Sequence, residues 1–106
     1  MTKIAVVFVT TPSADKAAEI ARALVSEKLA ACGNVIPGIR SIYSWQGEVQ
    51  DDPEALLVLK APRDRLPELI DRVRALHPYD VPEIIALPVE AGSQPYLDWV
   101  RAACPT

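Results

Sequence analysis

Ile4-Ala5-Val6-Val7-Phe8-Val9, followed at once by Thr10-Thr11-Pro12, is the stretch on which the fold turns. Six β-branched and aromatic residues bounded by a turn signal make a strand's length and too little for a helix. A strand with one wet face alternates apolar and polar residues. This one does not. Ile4, Val6 and Phe8 point one way and Ala5, Val7 and Val9 the other, so both faces of the strand require burial.

Downstream, Ser13 or Asp15 can cap a helix whose apolar side is Ala17, Ile20, Ala21, Leu24, Val25 and Leu29, with Gly33 as its predicted stop. That reading places Cys32 late on the helix's apolar side, where a thiol is most often a small buried hydrophobe. An extended region follows from Val35 to Gln46, with a kink or bulge predicted at Pro37-Gly38 and a hairpin turn at Gly47. Glu48 to Glu54 is acidic and interrupted by Pro53; it reads as a solvated hairpin end whose carboxylates can hold a hard cation weakly. Ala55 to Lys60 is again a strand, ended by Pro62.

Asp64 is placed to cap a second helix carried by Leu66, Leu69, Ile70, Val73 and Leu76 and closed by His77-Pro78. Glu83 to Val89 is a short strand in which Pro88 favours an edge or a strand end. Ser93 opens a short helix through Leu97, Trp99, Val100 and Ala103, and Cys104-Pro105-Thr106 is a tail expected to fray. The order is βαββαβ plus a small helix. Two right-handed βα units joined by a hairpin give an α+β, ferredoxin-like sandwich with both long helices on one sheet face. Ile84 to Leu87 repeats the two-sided pattern of the first strand, and Ile42, Tyr43 and Trp45 lie far out on the hairpin, so an oligomer is predicted to cover what the terminal helix leaves open.

The 106 residues suit a single domain, 1–106, of roughly 13 Å radius of gyration. A net charge of −3 with interleaved signs offers phosphates no basic face, so nucleic acid is not an expected partner. No window approaches the ~20 apolar residues that span a bilayer, and the chain reads as soluble and cytoplasmic, with no membrane partner. With 2 Cys and 1 His, a four-ligand Cys/His zinc site cannot close within one chain. A site of few ligands, or one shared between chains, remains open, and thiolate with imidazole would select copper or zinc. For His77 the alternative is a hydrogen-bonded imidazole at a helix C-terminus.

Other residues carry similarly open readings. Tyr79, Asp80, Pro82 and Glu83 form a polar cluster on a proline-stiffened loop of the kind that presents binding groups. Lys60 can meet an anionic ligand or pair with Glu83. Trp45 and Tyr43 can stack on a ligand or seal an interface. With no nucleophile elbow, Walker loop or dinucleotide fingerprint, the chain is not expected to be an enzyme, and no organic cofactor is expected.

The segments Leu29-Ala30-Ala31-Cys32-Gly33-Asn34-Val35-Ile36-Pro37-Gly38, Ser41-Ile42-Tyr43-Ser44-Trp45-Gln46-Gly47, His77-Pro78-Tyr79 and Val81-Pro82-Glu83-Ile84-Ile85-Ala86-Leu87-Pro88 resemble the divalent-cation-tolerance CutA family, in order and spacing, on to Tyr96-Leu97-Asp98-Trp99. The resemblance implies a homotrimer built through the long hairpins, a role in divalent metal tolerance with copper as the candidate ion, and a trimer plan similar to PII signalling proteins. A PII-like signalling or adaptor trimer binding a small anionic metabolite is therefore the alternative reading. Carried over by motif, the intersubunit cleft would involve Cys32, Trp45, Lys60, Tyr79 and Glu83, with His77 and Cys32 as metal ligands. Some members have a cysteine at the end of the first strand and a second histidine before the one in the His-Pro-Tyr motif; Thr10 and Leu76 stand there in this sequence.

Overall fold

Burial along β1 (Ile4–Thr11) shows why its two faces are both apolar. Ala5, Val7, Val9 and Thr11 lie buried beneath the helices, whereas Val6, Phe8 and Thr10 lie half-buried on the opposite face. The computed structural model describes residues 2–106. Its elements are β1, α1 (Ala14–Ser26), β2 (Cys32–Trp45), β3 (Glu48–Pro62), a 3-10 turn (Arg63–Arg65), α2 (Leu66–Leu76), β4 (Ile84–Pro88) and α3 (Gln94–Ala103). The strands form one antiparallel sheet in the order β2-β3-β1-β4, the ferredoxin-like arrangement predicted from the element order.

The core lies between the sheet and the two long helices. Ile20 and Leu24 of α1 and Leu69 and Val73 of α2 pack on Val7, Val9, Leu57 and Leu59, all fully buried. Gly33 belongs to this contact: a Cβ there would come within 2.9 Å of the Ala21 Cβ and 3.1 Å of Leu59 Cδ2, so only a bare backbone lets α1 lie this close to β2. A second cluster on the open face, Ile4, Ala31, Leu97, Val100 and Cys104, seats α3 over one end of the sheet.

The Ser13 hydroxyl caps α1 by accepting from the Lys16 N–H at 3.1 Å. The far end differs from the expectation. α1 stops at Ser26, where Lys28 takes φ 60° and the N–H groups of Lys28 and Leu29 return to the carbonyls of Val25 and Leu24. This is a Schellman closure with lysine in the usual glycine position; Leu29 packs into the same core as Leu24, and that contact offsets the strain of the left-handed residue. Gly33 therefore does not end the helix, and Cys32 is the first residue of β2.

Three other expectations need correction. β3 runs unbroken through the acidic stretch, because β1 ends opposite Ala55 and Pro53 beyond it has a strand neighbour on one side only. Asp64 does not cap α2; its carboxylate takes the Arg101 guanidinium at 2.8 and 2.9 Å. Cys104 does not fray but is fully buried, and the Pro105 carbonyl accepts from Arg65. The bulge between Ile36 and Ile39 and the tight turn at Gln46-Gly47, with φ of 51° and 82°, fall where Pro37-Gly38 and Gly47 place them. The projecting hairpin draws the chain out to 44 × 25 × 22 Å, with a radius of gyration of 14.2 Å.

Candidate functional site

The outer half of the β2–β3 hairpin and the loop after α2 enclose a cleft of about 700 Å³. Trp45, Tyr79 and Glu83 line it, together with Thr10 and Ser41. Tyr43, Asp52, Glu54 and Asp80 complete its polar and aromatic wall. The strand register explains the hairpin's share. Ser41 lies opposite Asp52, Tyr43 opposite Gln50 and Trp45 opposite Glu48, so alternate residues of both strands share one sheet face.

Two tyrosines tie the walls together. The Tyr43 hydroxyl donates to Asp52 Oδ2 at 2.6 Å, and the Tyr79 hydroxyl donates to Glu54 Oε2 at 2.9 Å, joining the post-helix loop to the hairpin. Burial, then the bond to Glu54, pushes the Tyr79 phenol up to about 12, so it stays a donor near neutrality. Tyr43 is raised as well, chiefly by its bond to Asp52. Arg40 braces the hairpin from outside with a two-pronged contact to Asp51 at 2.7 and 2.9 Å that holds the aspartate below the usual carboxylate range.

His77 stands behind the cleft, not in its lining. It occupies the C-terminal cap of α2, 7% exposed, with its ring centroid 4.7 Å from that of Tyr79. Its Nε2 lies 2.7 Å from the Thr10 carbonyl, which can only accept, so Nε2 carries a proton; Nδ1 then accepts the Tyr79 N–H at 3.1 Å. Both ring nitrogens are in use, and a metal would have to displace one of these bonds.

Cys32 and Lys60 lie elsewhere. They are cross-strand partners on the open face beside α3. The Cys32 thiol is 3.4 Å from the Tyr96 hydroxyl, a contact that, with burial, pushes that phenol up to about 12. The Lys60 ammonium bonds the Asn34 side chain and not Glu83. Lys60 is opposite Val6 and the His77 ring holds Thr10, four residues further along β1, which separates the two clusters by roughly 13 Å. The six sequence candidates thus divide: Trp45, Tyr79 and Glu83 in the cleft, His77 behind it, Cys32 and Lys60 at the other end. Among the described residues no group of three or more His, Cys, Asp and Glu is placed to hold a metal ion.

Asp52 and Glu54, which the sequence presents as a solvated hairpin end or a weak hard-cation site, stand in the cleft wall. Their period-2 spacing with Gln50 was the available signal; the tyrosine partners were not, since Tyr79 reaches Glu54 across 25 residues.

Comparison with known proteins gives a consistent answer. Residues 5–103 match the family described as CutA1 divalent ion tolerance protein. The chain is similar to the divalent-cation tolerance protein CutA of Thermus thermophilus, 56% identical over 96 residues that cover 91% of this chain and 93% of that protein. It is 52% identical over 98 residues to human protein CutA, covering 92% of this chain and 55% of the human protein, so it spans about half the length of that relative. Its fold superposes on CutA from Xylella fastidiosa with a TM-score of 0.95 at 38% identity, covering 98% of this chain and 100% of that one. Relatives are named chloroplastic in Arabidopsis thaliana and periplasmic in Archaeoglobus fulgidus, so the family is not tied to one compartment. With a family match over nearly its whole length, and close relatives on both sequence and fold, the chain belongs to the CutA1 divalent ion tolerance family.

Proposed function

We propose that residues 1–106 act as one CutA-like unit in a cytoplasmic homotrimer that binds a divalent cation, copper foremost, in clefts between subunits and serves metal tolerance without catalysis. The observation that carries this reading is the unfinished face of the sheet. Ile36, Ile85 and Leu87 are 45–51% exposed there, beside half-buried Val6, Phe8, Leu56 and Val58. A continuous apolar face of this kind marks an interaction surface. In the trimer the Cys32 and Lys60 end of one subunit meets the Trp45, Tyr79 and Glu83 cleft of its neighbour, completing between chains a ligand set that one chain divides. His77, on giving up the Nδ1 bond to the Tyr79 N–H, and Cys32 supply the borderline and soft donors that favour copper.

Native mass spectrometry after purification without chelator tests both parts. The expected species has three times the 11.5 kDa chain mass and carries divalent metal; a species of one chain's mass overturns the assembly. Copper titration of His77→Ala and Cys32→Ser variants should show weakened binding, and affinities equal to the parent's remove these residues from the site.

The alternative, a PII-like trimer holding a small anionic metabolite through Lys60, draws support from the position of that ammonium on the open face beside Asn34. The carboxylates of the cleft weigh against an anion settling there. Binding of an anion that is lost in Lys60→Ala and kept in His77→Ala would favour it.

A further inference from the structure

α3 is fastened to the chain by a small apolar patch and by polar contacts at its far end. Its inner side, Leu97 and Val100, packs with Ile4, Ala31 and Cys104 in a cluster separate from the core beneath α1 and α2. The segment before it, residues 90–93, is exposed and without regular structure, and the Ser93 side chain makes no capping bond. Val89, just upstream, is anchored: its N–H donates to the Ile4 carbonyl at 3.0 Å and its carbonyl accepts from the Thr2 hydroxyl at 2.6 Å. An untethered stretch between an anchored residue and a helix can act as a hinge.

Beyond the helix, two successive residues of the 3-10 turn supply the polar fastening. Asp64 takes the Arg101 guanidinium on both oxygens, at 2.8 and 2.9 Å, and Arg65 donates to the Pro105 carbonyl. Both partners of the Asp64–Arg101 pair face water, where such a pair contributes little. Arg65 Nε is buried without a hydrogen-bond partner among the described residues, a cost of the fastened state that water would lift on release. A 10-residue helix is not stable by itself, so α3 is either docked or unfolded.

We propose that α3 is a strap that lifts about residues 90–93 while the sheet, α1 and α2 stay folded, with Asp64 and Arg65 as its latch and the Cys104 thiol as the group that lifting uncovers. The larger core cluster contains no residue of α3 and stays packed when the strap is open. Cys104 is free and fully buried when it is shut, so an outside reagent meets the thiol only through an opening. Tyr96 leaves with the helix, and its hydroxyl then no longer meets the Cys32 thiol at 3.4 Å. Hinge, strap and latch all belong to one chain.

The test is thiol labelling of the full chain in its assembled state, with dithiobis-nitrobenzoate as the probe and a Cys32→Ser background that leaves Cys104 as the one cysteine. Cys104 is expected to react to completion in native buffer while far-UV ellipticity stays native, at a rate independent of protein concentration. Asp64→Ala should speed the reaction by about two- to fivefold, and Val100→Ala by about tenfold or more. Leu69→Ala, in the larger cluster, should lower the temperature of global unfolding and leave the labelling rate within about twofold of the parent's. Reaction only where ellipticity is lost overturns the proposal, as does an unchanged rate in either Asp64→Ala or Val100→Ala, or a rate that Leu69→Ala raises as much as Val100→Ala does. A rate that falls as protein concentration rises would place the opening in dissociated subunits and overturn it as well.

Discussion

The two halves of one hairpin obey different rules. At its root, Ala55, Leu57, Leu59 and Ala61 of β3 alternate with half-buried residues, and their inward side chains are essentially inaccessible beneath α1 and α2. At its tip, past the bulge, no helix lies below the ladder; the strands are held by backbone pairing, the Arg40–Asp51 contact and the tyrosine–carboxylate bonds. The root is positioned by hydrophobic burial and the tip by polar tethers exposed to water. The tip is weakly buried, with Ile42, Trp45 and Val49 49–79% exposed, and such an extension can carry a ligand cleft or a subunit contact without endangering the core.

The sharpest way to break this contrast is Leu57→Ala. Removing a fully buried side chain between sheet and helices should destabilise the chain by about 2–5 kcal/mol in chemical denaturation; a loss near zero would mean the root is not the stabilising half. Next in size is the alkaline response. Of the 3 tyrosines, Tyr43 and Tyr79 tether the tip and Tyr96 the open face near the root, and all three are raised above the ordinary value. A raised folded-state value means that the protonated phenols' contribution to stability is complete below the unfolded value of about 10 and drains away as pH climbs toward about 12. Phenolate absorbance of Tyr79 and Tyr96 should therefore rise toward pH 12 in the folded protein and not at pH 10, and Tyr79→Phe should lessen the fall in stability between pH 10 and 12. Titration of Tyr79 and Tyr96 at pH 10 would show that their bonds to Glu54 and Cys32 do not hold in solution. The smallest effect belongs to Val49→Ala at the tip. At 79% exposure it should change stability by no more than about 0.5 kcal/mol, and a larger loss would show that another subunit covers the tip.

Legibility followed the same division. The strand identity of residues 4–9, the cap at Ser13, the bulge at Pro37-Gly38 and the turn at Gly47 are properties of near neighbours, and each is where its local chemistry places it. The end of α1 departs from the local signal: Gly33 is the residue type that favours a helix stop, whereas the chain uses Lys28 and secures it through Leu29 in the core. Glycine at position 33 answers a different demand, the approach of Ala21. The candidate site was half legible: Trp45, Tyr79 and Glu83 do line one cleft, but Cys32 and Lys60 do not join them within the chain.

From the amino-acid order alone come the element sequence, the two-sided apolar strands and, through the family motifs, the membership that the comparisons establish. Only the folded chain decided which polar groups meet: that His77 has both nitrogens committed, that Tyr79 reaches Glu54, and that Cys32 and His77 lie at different ends of the sheet. Periodicity is set by the geometry of a few successive residues, while a contact across the sheet depends on strand register and on where each neighbouring element stops.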